Sequence, residues 1–227
     1  MIDTIQFFSD HALVLLLSLG TLLTFAWLCF LGDRLRMTWY AALPISISHT
    51  LYGVLTVSGF AFLETGFDTG SLGNMSLFGG VFFMPVAYWL GAKLSGRKLA
   101  DVFDIFTVCM IVTVMCARIN CIIAGCCFGL TIPGLTGVRW PTRELEILFY
   151  LVLLFLLGRM VLERKSNGAA YPIYMTAYGG FRFLIEFFRY SEHPFGIFHI
   201  SHLWALVSLC LGLSIYAELQ NKKKTRR

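Results

Sequence analysis

Seven long apolar runs govern what this 227-residue chain can fold into. They cover approximately residues 11–31, 39–63, 74–94, 102–124, 145–162, 170–188 and 199–219. A bilayer core about 30 Å thick is crossed by roughly 20 apolar residues in a helix. Lipid offers no partners to an open backbone, so runs of this length must close their own hydrogen bonds as helices. Composition agrees: 57% of residues are hydrophobic and 14% charged, against about 25% charged in soluble domains. The first run has no basic segment before it and no small-x-small cleavage site after it, so it reads as a retained helix rather than a signal peptide. The expectation is an all-α integral membrane protein with seven transmembrane helices, one membrane domain over residues 1–227.

The basic residues orient that chain. Thirteen of the eighteen, including every lysine, follow runs one, three, five and seven: Arg34 and Arg36; Lys93, Arg97 and Lys98; Arg159, Arg164 and Lys165; and the tail KKKTRR. Lys and Arg accumulate on cytoplasmic loops, which places the N-terminus outside and the C-terminus in the cytoplasm. The net charge of +5 is therefore a topology signal. It implies no nucleic-acid partner, only some attraction of the tail to anionic lipid heads.

Subtracting that set leaves Arg118, Arg139, Arg143, Arg182 and Arg189, all in the outer half of a run or on the external side. A guanidinium grips phosphate or carboxylate with two prongs and is less strongly hydrated than an ammonium, so the bias points toward an anion. Arg118 lies 17 residues beyond Asp101, about 25 Å up the core and close to outer headgroup depth. For one arginine alone, snorkelling to the interface is the plainer explanation. In run six, YGGFRFLIEFFRYSE, Arg182, Glu186 and Arg189 stand at i, i+4 and i+7 on one helix face, and ionisable residues inside a span face the protein interior. A packing salt-bridge ladder is the alternative. With Arg118 the group carries three cations against one anion, a surplus of about +2, and a phospholipid phosphate of the outer leaflet is the partner at hand.

The stretch ARINCIIAGCCFG follows Arg118 with Cys121, Cys126 and Cys127 in C-x4-C-C spacing. Structural zinc takes four ligands, commonly in C-x2-C pairs, and no His pair is nearby, so no metal is expected. A disulfide from Cys121 to Cys126 or Cys127 stays open in an oxidising compartment. The preferred reading is small, polarizable wall residues beside the arginine. Cys29, Cys109, Cys116 and Cys210 lie within runs and read as apolar fillers.

A nucleophile would need a base, and His49, Glu64, Glu144 and Glu186 are the candidates. Each has a plainer use. His49 can hydrogen-bond to a neighbouring helix, and Glu64 and Asp68 read as solvated. Glu144 follows a Thr142 cap and suits the helix dipole. His193, His199 and His202 read as interfacial loop residues, with contact to an acceptor as the sharper option. Gly79, Gly80 and Gly91 read as close-packing positions between helices.

The segments GGVFFMPVAYWLGAK, DVFDIFTVCMIVTVMCARINCIIAGCCFG, WPTRELEILFYLV and AYGGFRFLIEFFRYSE come in an order that resembles the prolipoprotein diacylglyceryl transferase family over roughly residues 76–206. By position, Arg118 falls on the arginine of the family's Gly-Arg-x-Gly-Asn segment and Gly129 on its closing glycine. Arg182, Glu186 and Arg189 fall on its Arg-x3-Glu-x2-Arg segment, and Pro141, Thr142 and Glu146 on its His-Pro-Ser-Gln-Leu-Tyr-Glu segment. Departures are also plain. Phe78-Gly79-Gly80 stands where the family usually has His-Gly-Gly, so the histidine proposed to assist the chemistry is missing. Cys121 replaces an asparagine, Cys126 a frequent glutamate, and Trp140 and Arg143 a histidine and a glutamine. The Gly-Cys-Cys form resembles a divergent branch, and the chain is short for the family, with little room for external elements that hold a protein substrate.

The resemblance implies a cofactor-free, multi-pass transferase of the bacterial cytoplasmic (inner) membrane. It would take phosphatidylglycerol or a related anionic phospholipid and move the diacylglyceryl group to the lipobox cysteine of a prolipoprotein, releasing glycerol 1-phosphate. Its partners would be that lipid and prolipoprotein signal peptides. It implies Arg118, Arg182 and Glu186 as catalytic, and Arg118, Arg182, Arg189 and Gly129 around the lipid phosphate. His49, Glu144 and Cys121 are the candidates for base or acceptor contact. Three alternatives stay open: the same donor with a glycan or lipid hydroxyl as acceptor, a non-catalytic phospholipid-binding membrane protein, and, most distantly, a thiol-redox membrane protein.

Overall fold

The computed structural model describes residues 2–71, 74–190 and 198–225; His193 and the last two arginines of the basic tail lie outside them. Its helices are α1 (Ile2–Phe30), α2 (Gly32–Leu35), α3 (Trp39–Glu64), α4 (Leu77–Ser95), α5 (Leu99–Ile123), α6 (Thr142–Leu162), α7 (Ala170–Glu186) and α8 (Ile200–Thr225). Among the described residues the only β-pairing is two isolated bridges. The helices α1, α3, α4, α5, α6 and α8 are each long and apolar enough to cross a bilayer. The protein is an all-α membrane protein.

The sixth run behaves differently. Residues 170–188 predict a helix to the end of the run, but α7 has 17 residues and stops at Glu186, about 25 Å of rise. Beyond it the backbone turns to pair with the α5–α6 loop: Leu130 N–H donates to the Phe188 carbonyl at 2.7 Å and Tyr190 N–H to the Phe128 carbonyl at 3.0 Å. Those loop bonds replace the next helical turn.

Helix α5 is the centre of the bundle, packed against α1, α4, α6 and α7. Its partners contribute the fully buried Leu28, Met84, Tyr150, Leu157 and Tyr174 around Ile105 and Ile111. Side chains on the outward faces, such as Leu51, Leu55, Leu94 and Phe155, are largely exposed. Lipid tails are as apolar as leucine, so this surface carries no penalty in a bilayer. Helices α7 and α8 meet through Gly179 and Gly212: a Cβ at the first would overlap the Ala205 carbonyl and Leu209 backbone, at the second the Thr176 and Pro172 backbone. Gly79 likewise admits the Thr56 carbonyl and Phe60, as expected, whereas a Cβ added at Gly91 would enter open space with nothing within 4 Å.

One end of the bundle is fastened by a buried acid. Asp104 of α5 accepts hydrogen bonds from Ser166 Oγ (2.6 Å), Gly168 N–H (2.8 Å) and Ala170 N–H (3.1 Å). It thereby satisfies the free amides at the start of α7 from another helix. Arg34 bonds to Asp101 at 2.5 Å, lies 3.6 Å from Asp104 and donates to the Val161 carbonyl at 2.7 Å. Asp104→Ala should destabilise the protein by on the order of 3 kcal/mol, because two buried donors and a half-buried one lose their acceptor at once. Asp101→Ala, at a side chain 21% exposed, should cost less. Thermal unfolding of both variants in detergent checks the order, and equal midpoints would contradict it.

Candidate functional site

At the opposite end of the bundle, α5, α6 and α7 bring five ionisable side chains together. Arg118 projects from the last two turns of α5, Glu146 from the second turn of α6, and Arg182 and Glu186 from the end of α7. Arg189 follows three residues later. Glu146 is the hub. Its Oε2 lies 3.0 Å from Arg118 Nε, and its Oε1 lies 2.8 Å from Arg182 Nη1 and 3.2 Å from Arg189 Nη1. Arg182 Nη2 reaches Glu186 Oε2 at 2.9 Å. None of the five side chains is more than 15% exposed.

A carboxylate offers about four lone-pair sites, which is how one glutamate can hold three guanidinium groups. Three arginines less two glutamates leave +1 in the buried group, so Glu146 lowers the surplus of +2 expected from Arg118 and the α7 ladder alone. Glu146 went unrecognised as the hub because helix periodicity relates residues on one helix, and this acid arrives from another. Its only sequence signal was its place on the family segment. Arg182 Nε is buried without an acceptor, as is the hydroxyl of Tyr178, which lies within electrostatic reach of Arg182 and Arg118. A buried unpaired donor costs about 1–3 kcal/mol, which an anionic oxygen entering the cluster would recover.

Gly129 takes part through the backbone. It forms an antiparallel bridge with Arg189, and a Cβ at Gly129 would overlap the carbonyl and side chain of Trp140. A glycine is what lets the loop close between Trp140 and the segment carrying Arg189. Gly129 therefore positions an arginine of the cluster. The other two arginines at this end do not join it: Arg139 and Arg143 lie 4.8 and 4.9 Å from the Phe128 ring centroid, and Arg143 pairs with Glu144 at 3.6 Å.

Among the residues considered as bases, two are displaced. His49 stacks on Tyr88, bonds to its hydroxyl at 3.0 Å and packs on Phe106. Phe106 precedes Arg118 by 12 residues, about 18 Å along α5. His49 instead lines a cavity of about 860 Å³ between α3, α4 and α5, with Arg36 and Arg97 also in its wall. Glu144 is half exposed and pairs with Arg143, outside the hub. One of them, Glu64, and one residue outside that set, His202, move closer. Glu64, expected to be solvated, is half-buried and feels the charges of Arg182 and Glu186. Ionised, it would neutralise the group from its rim. His202, expected in a loop, is 2% exposed on α8, packed against Phe183 and Phe187. Its Nδ1 accepts the His199 N–H at 3.0 Å, its Nε2 is buried and unpartnered, and it too is within electrostatic reach of Glu186 and Arg182.

Beside Arg118, the sulfurs of Cys121, Cys126 and Cys127 lie within 4.8 Å of one another, all as free thiols. Cys126 is exposed and the others half-buried. In the loop, the neighbouring Cys121 thiol, helped by Arg189 and Arg118, holds the Cys127 thiol below the usual range against the effect of its burial. Burial pushes the Cys126 thiol up.

The sequence profile of the family described as prolipoprotein diacylglyceryl transferase matches residues 69–217. Proteins named phosphatidylglycerol–prolipoprotein diacylglyceryl transferase are similar to the chain. That of Oleidesulfovibrio alaskensis is 27% identical over 153 residues, covering 62% of this chain and 57% of the relative. That of Hydrogenovibrio crunogenus is 28% identical over 157 residues, covering 63% and 57%. That of Pseudoalteromonas translucida is 27% identical over 169 residues, covering 67% and 63%. The chain thus matches little more than half the length of the first two relatives. Its profile match spans well over half of its own residues and includes every member of the buried cluster. The chain belongs to the prolipoprotein diacylglyceryl transferase family.

Proposed function

We propose that the chain crosses the bacterial cytoplasmic membrane seven times, with its N-terminus outside, and transfers the diacylglyceryl group of phosphatidylglycerol to the lipobox cysteine of prolipoproteins. The observation that supports this most is the Glu146 hub: one buried and two half-buried arginines, the buried one with an unpaired Nε, in a chain of this family. A phospholipid phosphate at headgroup depth matches that charge and those donors. In the transfer the thiolate sulfur attacks the glycerol carbon that bears the phosphate ester. A C–S bond forms, the C–O bond breaks, and the electron pair leaves on glycerol 1-phosphate. Charge builds on the departing phosphate, where fixed guanidinium groups in a water-poor site act most strongly. Glu146 and Glu186 hold those groups in place. The thiol proton goes to a nearby base, and Glu64 and His202 are better placed for it than His49 or Glu144.

A second reading keeps the donor and changes the acceptor to a glycan or lipid hydroxyl. It is favoured by Phe78, which occupies the place of the family histidine and is buried against Phe82 and Tyr178 with no titratable group to offer. Expression in a strain depleted of its own diacylglyceryl transferase separates the two. Restored growth and lipoprotein maturation are expected. Absence of rescue by a folded, membrane-inserted protein that still releases glycerol phosphate from phosphatidylglycerol would favour the second acceptor. Lipid binding without release would remove the enzymatic reading.

A further inference from the structure

We propose that Cys121, Cys126 and Cys127 form a trigonal thiolate site for a soft monovalent d10 cation, Cu(I). The inference stands apart from lipid transfer and does not depend on it.

The backbone builds the site. Cys121 lies in the last turn of α5, which ends at Ile123. Gly125 then turns left-handed (φ 61°), and Cys127 does the same (φ 58°), a conformation costing a residue with a Cβ about 1–2 kcal/mol. The Cys126 N–H bonds back to the Cys121 carbonyl at 3.1 Å. This reversal turns both later sulfurs over the first, so residues five and six positions apart converge. The first turn of α6 holds the arrangement: Thr142 Oγ1 donates to the Cys127 carbonyl at 3.2 Å, and Arg143 Nη1 to the Cys121 carbonyl at 3.4 Å. Three sulfurs bound at about 2.3 Å to one ion stand about 4 Å apart in a trigonal plane. The separations here, within 4.8 Å, need only a small contraction.

The donor set selects the ion. Thiolates favour soft metals, Cu(I) among them, whereas structural zinc takes four ligands. Among the described residues no fourth His, Cys, Asp or Glu joins the group. The exposed Cys126 provides an entry path. A complex of three thiolates and one Cu(I) carries −2, and Arg118 and Arg189 stand within electrostatic reach of Cys127 to balance it. Binding displaces the thiol protons and leaves every oxidation state unchanged.

The test is titration of the full chain in detergent, reduced and anaerobic, with Cu(I) against a chromophoric copper chelator. One copper per chain should survive the competition, with sulfur-to-copper charge-transfer absorption in the ultraviolet. Cys126→Ser, at an exposed position, should fold normally and lower the affinity about tenfold or more. The paired change Cys29→Ser with Cys210→Ser, on α1 and α8, should leave it unchanged. Failure of the wild type to hold copper would overturn the proposal, as would copper held equally by the Cys126→Ser protein. Tetrahedral zinc in the purified chain would overturn the choice of ion, and a persistent disulfide within the trio, seen by mass spectrometry after reduction, would overturn the site.

Discussion

Glu146→Gln should be the most damaging single change in the protein. The substitution keeps the shape of the side chain and removes the charge on which Arg118, Arg182 and Arg189 converge. Three arginines would then face Glu186 alone, raising the buried charge from +1 to +2. Leaving buried charges unpaired costs about 3–5 kcal/mol, which should appear as a large drop in the thermal unfolding midpoint in detergent. Transfer should fall by on the order of 10²-fold or more, because the charges that meet the departing phosphate are no longer held in place. Anionic phospholipid offers a specific check. Added phosphatidylglycerol should restore the midpoint of the variant more than it raises that of the wild type, since its phosphate replaces the missing carboxylate. An unchanged midpoint together with unchanged turnover would show that Glu146 is not the hub of a working site.

Arg182→Lys should come second in effect and separates geometry from charge. Arg182 bridges two acids with different nitrogens, Nη1 to Glu146 and Nη2 to Glu186, and leaves Nε free. An ammonium keeps the charge but is a compact point that cannot span both carboxylates and still face a ligand. Stability should fall less than in Glu146→Gln, while phosphatidylglycerol-dependent turnover should fall about 10²-fold. If kcat suffers and KM changes little, the fork acts mainly on the departing phosphate. Full turnover in this variant would rule out a two-pronged grip.

The positions of the helices were legible along the chain, since the runs 39–63, 74–94 and 102–124 lie within a few residues of α3, α4 and α5. Hydropathy is summed over neighbours, so it needs no knowledge of the rest of the fold. Ends moved more: α1 starts before its run and α8 continues past its own into the basic tail, while α7 stops early because residues 188–190 bond to a loop about sixty positions away. The site was half legible. Leftover arginines, the face shared by Arg182, Glu186 and Arg189 and the family positions pointed to Arg118, Arg182 and Arg189, but spacing could not show that the fold sets Arg139 and Arg143 over Phe128. Spacing likewise could not show that His49 stands far below the cluster while His202 is buried beside it.

The sequence by itself determined the solvent of this protein, the positions of its long apolar helices and the surplus of arginine toward one end, because each follows from composition within a window of about 20 residues. Only the tertiary structure decided which charges meet. Glu146 becomes the hub because α5, α6 and α7 converge at one end of the bundle, and Gly129 matters because it lets Trp140 close against the segment that carries Arg189. The three cysteines, unremarkable by their spacing, gather because two left-handed residues reverse the chain after α5. Charge pairing and ligand geometry depend on distances across helices, and those distances exist only once the helices have packed.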